Sequence, residues 1–301
     1  MPQLPAAIHG VAVDAGSGLA TAIRTAREDR AQPDDLLTFK RNVLKALGPD
    51  ATTVLVDAQC GSDLLQDYPD GCAPMIAFEA DVYHISDDDR ITVLPDHLSV
   101  SDFPGMGVKQ LKFFMYYAPD DADELNARKL DIVAGIGDAC ASNGVRYLVE
   151  PLVYHPAIEA GSVEFARLKP DLVRRATKAF ADPRLKADVL KVEVPVDLRF
   201  VEGFGEPAMS RAEALDAFRM AAEPAGGRDL VYLSAGVAFE FFEASLRLAR
   251  EAGVDFSGFM CGRAIWSDAV GVFGAHGEDA LKTWLEETGR ERLLRLIAAL
   301  N

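Results

Sequence analysis

Residues 111–154 read LKFFMYYAPDDADELNARKLDIVAGIGDACASNGVRYLVEPLVY, and this stretch decides the fold. An apolar run, Leu111–Tyr117, is followed by Ala122–Ser142, where apolar residues recur at helical spacing. The dipeptide Asn143–Gly144 is a typical helix end, and a second apolar run, Tyr147–Tyr154, begins shortly after it. Two continuous apolar runs joined by a helix predict parallel strands that are covered on both faces.

The same alternation continues on both sides of this unit. Eight apolar runs are candidate strands: Ile8–Val13, Thr53–Asp57, Pro74–Glu79, Leu111–Tyr117, Tyr147–Tyr154, Val189–Pro195, Leu230–Ala235 and Ser257–Arg263. Helical patterns lie between most of them: Pro33–Leu47, Ala122–Ser142, Ser162–Phe180, Ser210–Ala222, Ala238–Ala252 and Glu278–Leu300. The region Gly61–Gly107 is expected to hold irregular loops around the third strand. Eight such units predict an α/β fold, a closed (β/α)₈ TIM barrel in a single domain over residues 1–301.

An open Rossmann-like sheet is the alternative fold, but the chain has neither GxGxxG after a strand nor a P-loop. Its 31 basic and 47 acidic residues give a net charge of −16, which argues against nucleic acid and anionic membranes as partners. No apolar run approaches the roughly 20 residues of a membrane span, and Met1–Gly10 lacks the regions of a signal peptide. Four widely spaced cysteines fit a reducing compartment, so a cytoplasmic location is expected.

The active site of a TIM barrel forms at the carboxyl ends of its strands. Near these ends the chain carries one polar or charged group after another: Asp14, Asp57, Glu79, Lys112, Glu150, Lys191 with Glu193, Ser234 and Arg263. Strand-to-loop transitions account for some of these groups. The others are the candidates for a catalytic site.

Lys191 stands in the apolar run VLKVEVP, residues 189–195. The two-residue period of a strand puts Lys191 and Glu193 on one face and the apolar Leu190 and Val192 on the other, so Lys191 points into the barrel. Lysine is rarely buried unless it is paired. Two interpretations therefore stay open, an ion pair with Glu193 or another barrel carboxylate, and a catalytic amine.

A second lysine, Lys112, lies in another predicted strand and favours the catalytic interpretation. Two ammonium groups enclosed in one barrel disfavour each other's charge, which favours a neutral amine near pH 7. Such an amine attacks a carbonyl to form a Schiff base, and Glu150 is the natural proton carrier beside it.

The last two strand ends have the features of a phosphate site. Ser234 and Gly236 precede a helix, so they offer a hydroxyl and backbone N–H groups, while Gly262 and Arg263 offer close approach and a guanidinium. The five histidines are scattered and form neither HxH nor HExxH. We therefore predict a phosphorylated substrate, and no metal or cofactor.

Several stretches resemble the class I tagatose-1,6-bisphosphate aldolase family, which includes the related sulfofructosephosphate aldolases: Lys112–Tyr117, Phe180–Arg184, Asp188–Pro195, Arg199–Phe204, Tyr232–Val237 and Cys261–Ala264. The resemblance implies a metal-independent barrel aldolase that cleaves a ketose 1-phosphate reversibly to dihydroxyacetone phosphate and an aldehyde. It also implies roles for individual residues: Lys191 as the Schiff-base lysine, Glu150 as acid/base, Lys112 as the neighbouring lysine, Asp14 as a substrate contact, and Ser234, Gly236, Gly262 and Arg263 as the phosphate pocket.

One departure concerns the far end of the substrate. In the family the first-strand aspartate is followed by Gln-Arg, whereas here Asp14 is followed by Ala15–Gly18. The missing arginine is a plausible contact for a distal anion, and its candidate replacements are Arg24, Arg27 and Arg90. Two other functions stay open, a non-catalytic sugar-phosphate-binding regulator on an aldolase scaffold and a Schiff-base lyase for a smaller uncharged aldehyde. Barrels of this size often form dimers or tetramers, so a homo-oligomer is compatible with the sequence.

Overall fold

The computed structural model of the protein describes residues 7–301, apart from the side chain of Tyr83. Eight parallel strands close into a barrel in chain order, and the first strand pairs with both the second and the eighth. The strands are β1 (Ile8–Val13), β2 (Thr53–Asp57), β3 (Ala73–Ala77), β4 (Gln110–Tyr117), β5 (Arg146–Val153), β6 (Val189–Glu193), β7 (Asp229–Leu233) and β8 (Gly258–Cys261). The predicted (β/α)₈ barrel is therefore confirmed. The signal-peptide prediction for Met1–Gly10 falls partly on residues 1–6, which lie outside the described residues.

Helices surround the barrel. They are α1 (Ser17–Arg27), α2 (Asp35–Leu47), α3 (Ala58–Leu64), α4 (Asp123–Asn143), α5 (Val163–Phe180), α6 (Arg211–Ala222), α7 (Phe239–Glu251), α8 (Arg263–His276), α9 (Glu278–Trp284) and α10 (Arg290–Ala298). A π-helical segment, Leu285–Gly289, interrupts the predicted helix Glu278–Leu300. Between β3 and β4 the chain forms turns and short 3₁₀ segments, as the loop prediction for this region requires. No helix in the described part of the chain is long and apolar enough to cross a membrane.

Three helices, α1, α3 and α8, have no counterpart among the predicted helices. Glycine weakens the helix propensity at the start of α1, where Gly18 is the second residue. This helix packs closely on α8, since a Cβ added to Gly274 would lie only 2.5 Å from the Cβ of Ala26. The strand predicted over Ser257–Arg263 is also too long, because β8 ends at Cys261 and Arg263 is the first residue of α8.

The alternation of side chains along the strands separates two apolar layers. The barrel interior holds a small cluster: Ile8, Ala12, Leu55, Met75, Ala77, Leu148, Val189, Val231 and Met260. The opposite faces of the strands, for example Leu190 and Val192 of β6, pack in a larger cluster with the helices. Lys191 lies between these two residues, so it faces the interior as its position in the sequence predicts.

Candidate active site

A cavity of about 720 Å³ opens at the carboxyl ends of the strands. All eight residues that the sequence assigned to the site contribute to its lining: Asp14, Lys112, Glu150, Lys191, Ser234, Gly236, Gly262 and Arg263. They come from β4, β5 and β6 and from the segments that follow β1, β7 and β8. The closed barrel thus brings together side chains that lie up to 249 positions apart in the chain.

Lys191 is buried in β6, and its ammonium group is paired with a carboxylate. Its Nζ donates to Oε2 of Glu150 in the neighbouring strand at 2.9 Å, and both side chains are at least nine-tenths buried. Glu193 has different partners, since its Oε1 lies 3.5 Å from Nζ of Lys169 and its Oε2 accepts from the N–H of Val153. The carboxylate beside Lys191 is therefore the predicted proton carrier and not Glu193.

Lys112 lies at the centre of three carboxylates. Its Nζ donates to Oε1 of Glu79 and lies 2.9 Å from Oδ2 of Asp14 and 3.3 Å from Oε2 of Glu150. Burial lowers the pKa of Lys112, but the charges of Asp14, Glu79 and Glu150 together outweigh burial and raise this pKa well above its usual value. The expectation that two enclosed lysines lower each other's pKa is therefore wrong for Lys112, whose carboxylate neighbours keep it positively charged.

The carboxylates around Lys112 differ in proton affinity. Burial opposes ionisation of Asp14, but the charges of Lys112 and Lys191 overcome it and hold the pKa of Asp14 well below its usual range. Burial raises the pKa of Glu79 to about 7, because the nearby Asp14 and Glu150 charges add to the effect and Lys112 offsets only part of it. One of these carboxyl groups is therefore a permanent anion, and the other titrates near neutrality.

The residues predicted to bind an anion meet at the ends of β7 and β8. Ala235 and Gly236 have φ values of +49° and +76°, and the guanidinium of Arg263 lies directly over Gly236. A Cβ at Gly236 would stand 2.9 Å from Cζ of Arg263, and one at Gly262 would stand 2.4 Å from the backbone oxygen of Ala12. The absence of a side chain at Gly236 therefore lets the guanidinium of Arg263 lie close to the backbone that follows β7, and its absence at Gly262 lets the start of α8 lie close to β1.

The segment that follows β1, the neighbour of β8 in the barrel, is the loop in which this chain departs from the resembled family. The backbone N–H of Ser17 donates to Oδ2 of Asp81 at 2.7 Å. The two neighbours of Ser17, Gly16 and Gly18, line the cavity. A Cβ at Gly16 would meet the Asp81 carboxylate at 2.5 Å. The loop is therefore held against a carboxylate, and the position leaves no room for a longer side chain in this conformation.

The three arginines proposed as replacements are placed differently. Arg27 pairs with Asp35 at 2.7 Å near the end of α1, and Arg24 is exposed one turn earlier, so neither lines the cavity. The guanidinium of Arg90 lies 4.3 Å from the ring centre of Tyr154 and 6.0 Å from that of Tyr116, a lining residue. Arg90 is thus the candidate that the fold brings beside the cavity.

Two further charged residues near the cavity were not assigned a role from the sequence. Glu79 follows β3, where it was noted only as one of the ionisable residues near strand ends. Lys40 is fully buried in α2 and pairs with Asp57, a cavity residue that also caps α3 by accepting from the N–H of Cys60 at 2.9 Å. A lysine within an amphipathic helix is normally exposed, so no sequence signal distinguishes Lys40.

Among the described residues no group of three His, Cys, Asp or Glu side chains is placed to hold a metal ion.

Solved barrel enzymes share this fold. A fructose-bisphosphate aldolase from Plasmodium falciparum, solved in complex with TRAP and an inhibitor, superimposes with a TM-score of 0.72 over 97% of this chain and 89% of its own, at 15% identity. A Schiff-base-forming fructose-1,6-bisphosphate aldolase gives a TM-score of 0.57 at 14% identity, over 93% of each chain. At these identities the likeness concerns the fold alone: the chain has the barrel of the aldolases.

Sequence comparison adds the family. Residues 9–268 match the sequence model described as DeoC/LacD family aldolase. The tagatose 1,6-diphosphate aldolases of Staphylococcus aureus strains MSSA476 and JH9 are each 40% identical over 245 residues, which cover 79% of this chain and 74% of the relative. The chain therefore belongs to the DeoC/LacD family of aldolases. It is a carbon–carbon lyase, and the non-catalytic alternative loses its support.

Proposed function

We propose that the protein is a class I aldolase that cleaves a ketose 1-phosphate reversibly into dihydroxyacetone phosphate and an aldehyde. One observation carries the proposal: the Nζ of Lys191 lies 2.9 Å from Oε2 of Glu150 in a cavity that also contains the pocket of Gly236 and Arg263. An amine, a proton carrier and an anion pocket are the three parts that Schiff-base cleavage of a sugar phosphate needs. The 40% identical tagatose 1,6-diphosphate aldolases support the same class of substrate.

The proposed reaction begins at Lys191. Lys191 passes a proton to Glu150, its amine attacks the ketone carbon, and Glu150 returns the proton to the hydroxyl that leaves as water, which gives an iminium. The iminium accepts the electron pair of the cleaved carbon–carbon bond and becomes an enamine, while the aldehyde departs. Protonation of the enamine and hydrolysis then release dihydroxyacetone phosphate and restore the amine. Lys112, a fixed positive charge 3.3 Å from Glu150, stabilises oxyanions that form during these steps.

The phosphate on carbon 1 is proposed to bind between β7 and β8. Ser234 supplies a hydroxyl, Gly236 and Gly262 permit close approach of the backbone, and Arg263 supplies the charge. Helix α8 starts at this point with no side-chain cap, so the positive end of its dipole lies beside the pocket. A local basic pocket of this kind offsets the repulsion that a chain of net charge −16 exerts on a phosphate.

The group at the far end of the substrate is a separate part of the proposal. Arg90 supports an anion there, because its guanidinium stacks on Tyr154 beside the cavity. We expect Arg90→Ala to raise the KM for a ketose 1,6-bisphosphate at least tenfold and to leave the KM for a ketose 1-phosphate unchanged. Equal KM values for the bisphosphate in wild type and variant would instead favour the smaller, uncharged aldehyde, which suits the Asp81 carboxylate on that side.

The test is trapping of the Schiff base. The protein is incubated with dihydroxyacetone phosphate and borohydride, and the reduced adduct is located by peptide mass spectrometry. We expect the adduct on the peptide that contains Lys191, no adduct and no turnover in Lys191→Met, and full activity in the control Lys178→Met, an exposed lysine of α5. An adduct elsewhere, or full activity of Lys191→Met, overturns the proposal.

A cytoplasmic location is part of the same proposal. It is supported by four cysteines that are all free in the structure and by the phosphorylated substrate. A homo-oligomer is proposed only on the general behaviour of such barrels, and sedimentation of the purified protein tests it.

A further inference from the structure

Glu79 has an oxygen without a partner. The residue lies two positions after the end of β3 and lines the cavity. Its Oε1 accepts a hydrogen bond from Lys112, whereas its Oε2 is buried and accepts none from any residue between 7 and 301. A buried polar atom of this kind is costly in free energy, so it calls for an explanation. A substrate hydroxyl is the simplest partner for an acceptor that lines a cavity.

The charges around Glu79 suit it to proton transfer. The groups that face it are Lys112 from β4, Glu150 from β5 and Asp14 after β1. With burial they bring the pKa of Glu79 to about 7, so both protonation states are populated near neutral pH. Asp14 is held ionised by the two lysines, which leaves it a poor carrier of protons. Efficient acid–base catalysis needs a pKa close to the working pH.

The proposed reaction needs protons moved at two positions of the substrate. At the ketone carbon, a proton goes to the departing hydroxyl, and Glu150 is next to Lys191 for that purpose at 2.9 Å. Cleavage also requires removal of the proton from the hydroxyl on carbon 4, two carbons further along. Glu79 and Glu150 both contact Nζ of Lys112, but of the two it is Glu150 that contacts Lys191, so the free oxygen of Glu79 is assigned to a part of the substrate other than the ketone carbon.

We propose that Glu79 is a catalytic residue whose Oε2 takes the proton of the carbon-4 hydroxyl. As that O–H bond breaks, its electron pair forms the carbonyl of the aldehyde. The bond between carbons 3 and 4 breaks, its pair forms the carbon–carbon double bond of the enamine, and the iminium π pair becomes the nitrogen lone pair. In condensation Glu79 returns the proton to the new alkoxide. This inference rests on the proposed class I function.

The decisive variant is Glu79→Gln, which keeps the shape of the side chain and removes its base. We expect the borohydride adduct of dihydroxyacetone phosphate with Lys191 to form as in the wild type, while the kcat for ketose 1-phosphate cleavage falls at least 100-fold. Glu206→Gln, a change at an exposed glutamate in the loop after β6, is the matched control and should leave kcat unchanged. Circular dichroism establishes that each variant is folded.

A purely positioning role for Glu79, exerted through Lys112, predicts a different result. It would lower adduct formation and cleavage together in Glu79→Gln and leave the pH dependence of kcat as in the wild type. Our proposal predicts that wild-type cleavage slows as the pH falls below 7, that this dependence is absent in Glu79→Gln, and that Glu79→Asp restores part of the rate with the dependence. Glu79→Asp also remains informative if the glutamine variant does not fold.

The outcomes separate the two proposals. If wild-type protein forms no adduct on Lys191, the proposed function itself fails. If the adduct forms and Glu79→Gln retains more than a hundredth of the wild-type kcat, only the role of Glu79 is overturned.

Discussion

Replacing Lys112 by methionine removes the positive charge that three carboxylates share. Lys112 is 3% exposed, and its Nζ contacts Asp14, Glu79 and Glu150. Removal of one partner of a buried ion pair costs roughly 3–5 kcal/mol, because the remaining charge stays buried without compensation. For a chain of this size, we expect Lys112→Met to lower the melting temperature at pH 8 by about 5–10 °C.

The pH dependence gives this prediction its sign. Without Lys112 the folded-state pKa values of Asp14 and Glu79 rise, that of Glu79 further above its value in the unfolded chain, so between pH 8 and about 5 the folded state binds more protons. The free energy of unfolding of the variant therefore increases as the pH falls through this interval. In the wild type, Glu79 with its pKa of about 7 contributes in the same direction, but Asp14 stays ionised and the total change is smaller.

The assay is urea unfolding followed by circular dichroism at pH 8, 6.5 and 5.5, for wild type, Lys112→Met and the exposed control Lys178→Met. Addition of Glu79→Gln to Lys112→Met removes one of the unpaired carboxylates and should restore part of the lost stability at pH 8. A Lys112→Met protein that is as stable as the wild type at pH 8 would refute the reasoning. So would a loss of stability that is equal at all three pH values.

Two further predictions concern the phosphate pocket and the helix packing. Arg263→Ala should raise the KM for a ketose 1-phosphate about 10- to 100-fold, because a charged hydrogen bond to the phosphate is lost. In the same steady-state assay the control Arg24→Ala should leave the KM unchanged. Equal KM values for Arg263→Ala and the wild type would contradict the assignment of Arg263 to phosphate binding. In α4, Gly137→Ala should lower the free energy of unfolding by about 1–3 kcal/mol, because its Cβ would stand 2.1 Å from the backbone oxygen of Leu185. A Cβ at the nearby Gly135 would meet no atom within 4 Å, so Gly135→Ala should raise the free energy of unfolding by about 0.5–1 kcal/mol. The same change in both variants, measured by urea titration, would refute the steric argument.

The barrel and the direction of Lys191 follow from the sequence alone. Continuous apolar runs separated by amphipathic stretches leave few arrangements other than parallel strands connected by helices that cover the sheet. The period of a strand then assigns Lys191 to the face of Val189 and away from Leu190, and the structure confirms this assignment through the two separate apolar layers. The alternation of strands and helices and the strand face of Lys191 depend on residues that are neighbours in sequence, so the sequence alone predicts them.

Helices α1 and α8 show where local signals end. Glycines at the start of α1 disfavour a helix in isolation, and the contact of Gly274 with Ala26 shows that it is packing against α8 that stabilises it. The start of α8 at Arg263 is equally a consequence of the turn at Gly262, whose close approach to Ala12 in β1 has no trace in the local pattern.

The charges in the cavity are the part that only the tertiary structure decides. The sequence shows that Lys112, Glu150 and Lys191 lie within apolar strand runs, but their partners come from other strands. The choice among those partners depends on strand register and side-chain reach. The structure pairs Lys191 with Glu150 and surrounds Lys112 with three carboxylates. Because a pKa responds to every charge within a few ångströms, the same residues become a fixed cation in Lys112 and a titrating acid in Glu79 only once the barrel has closed.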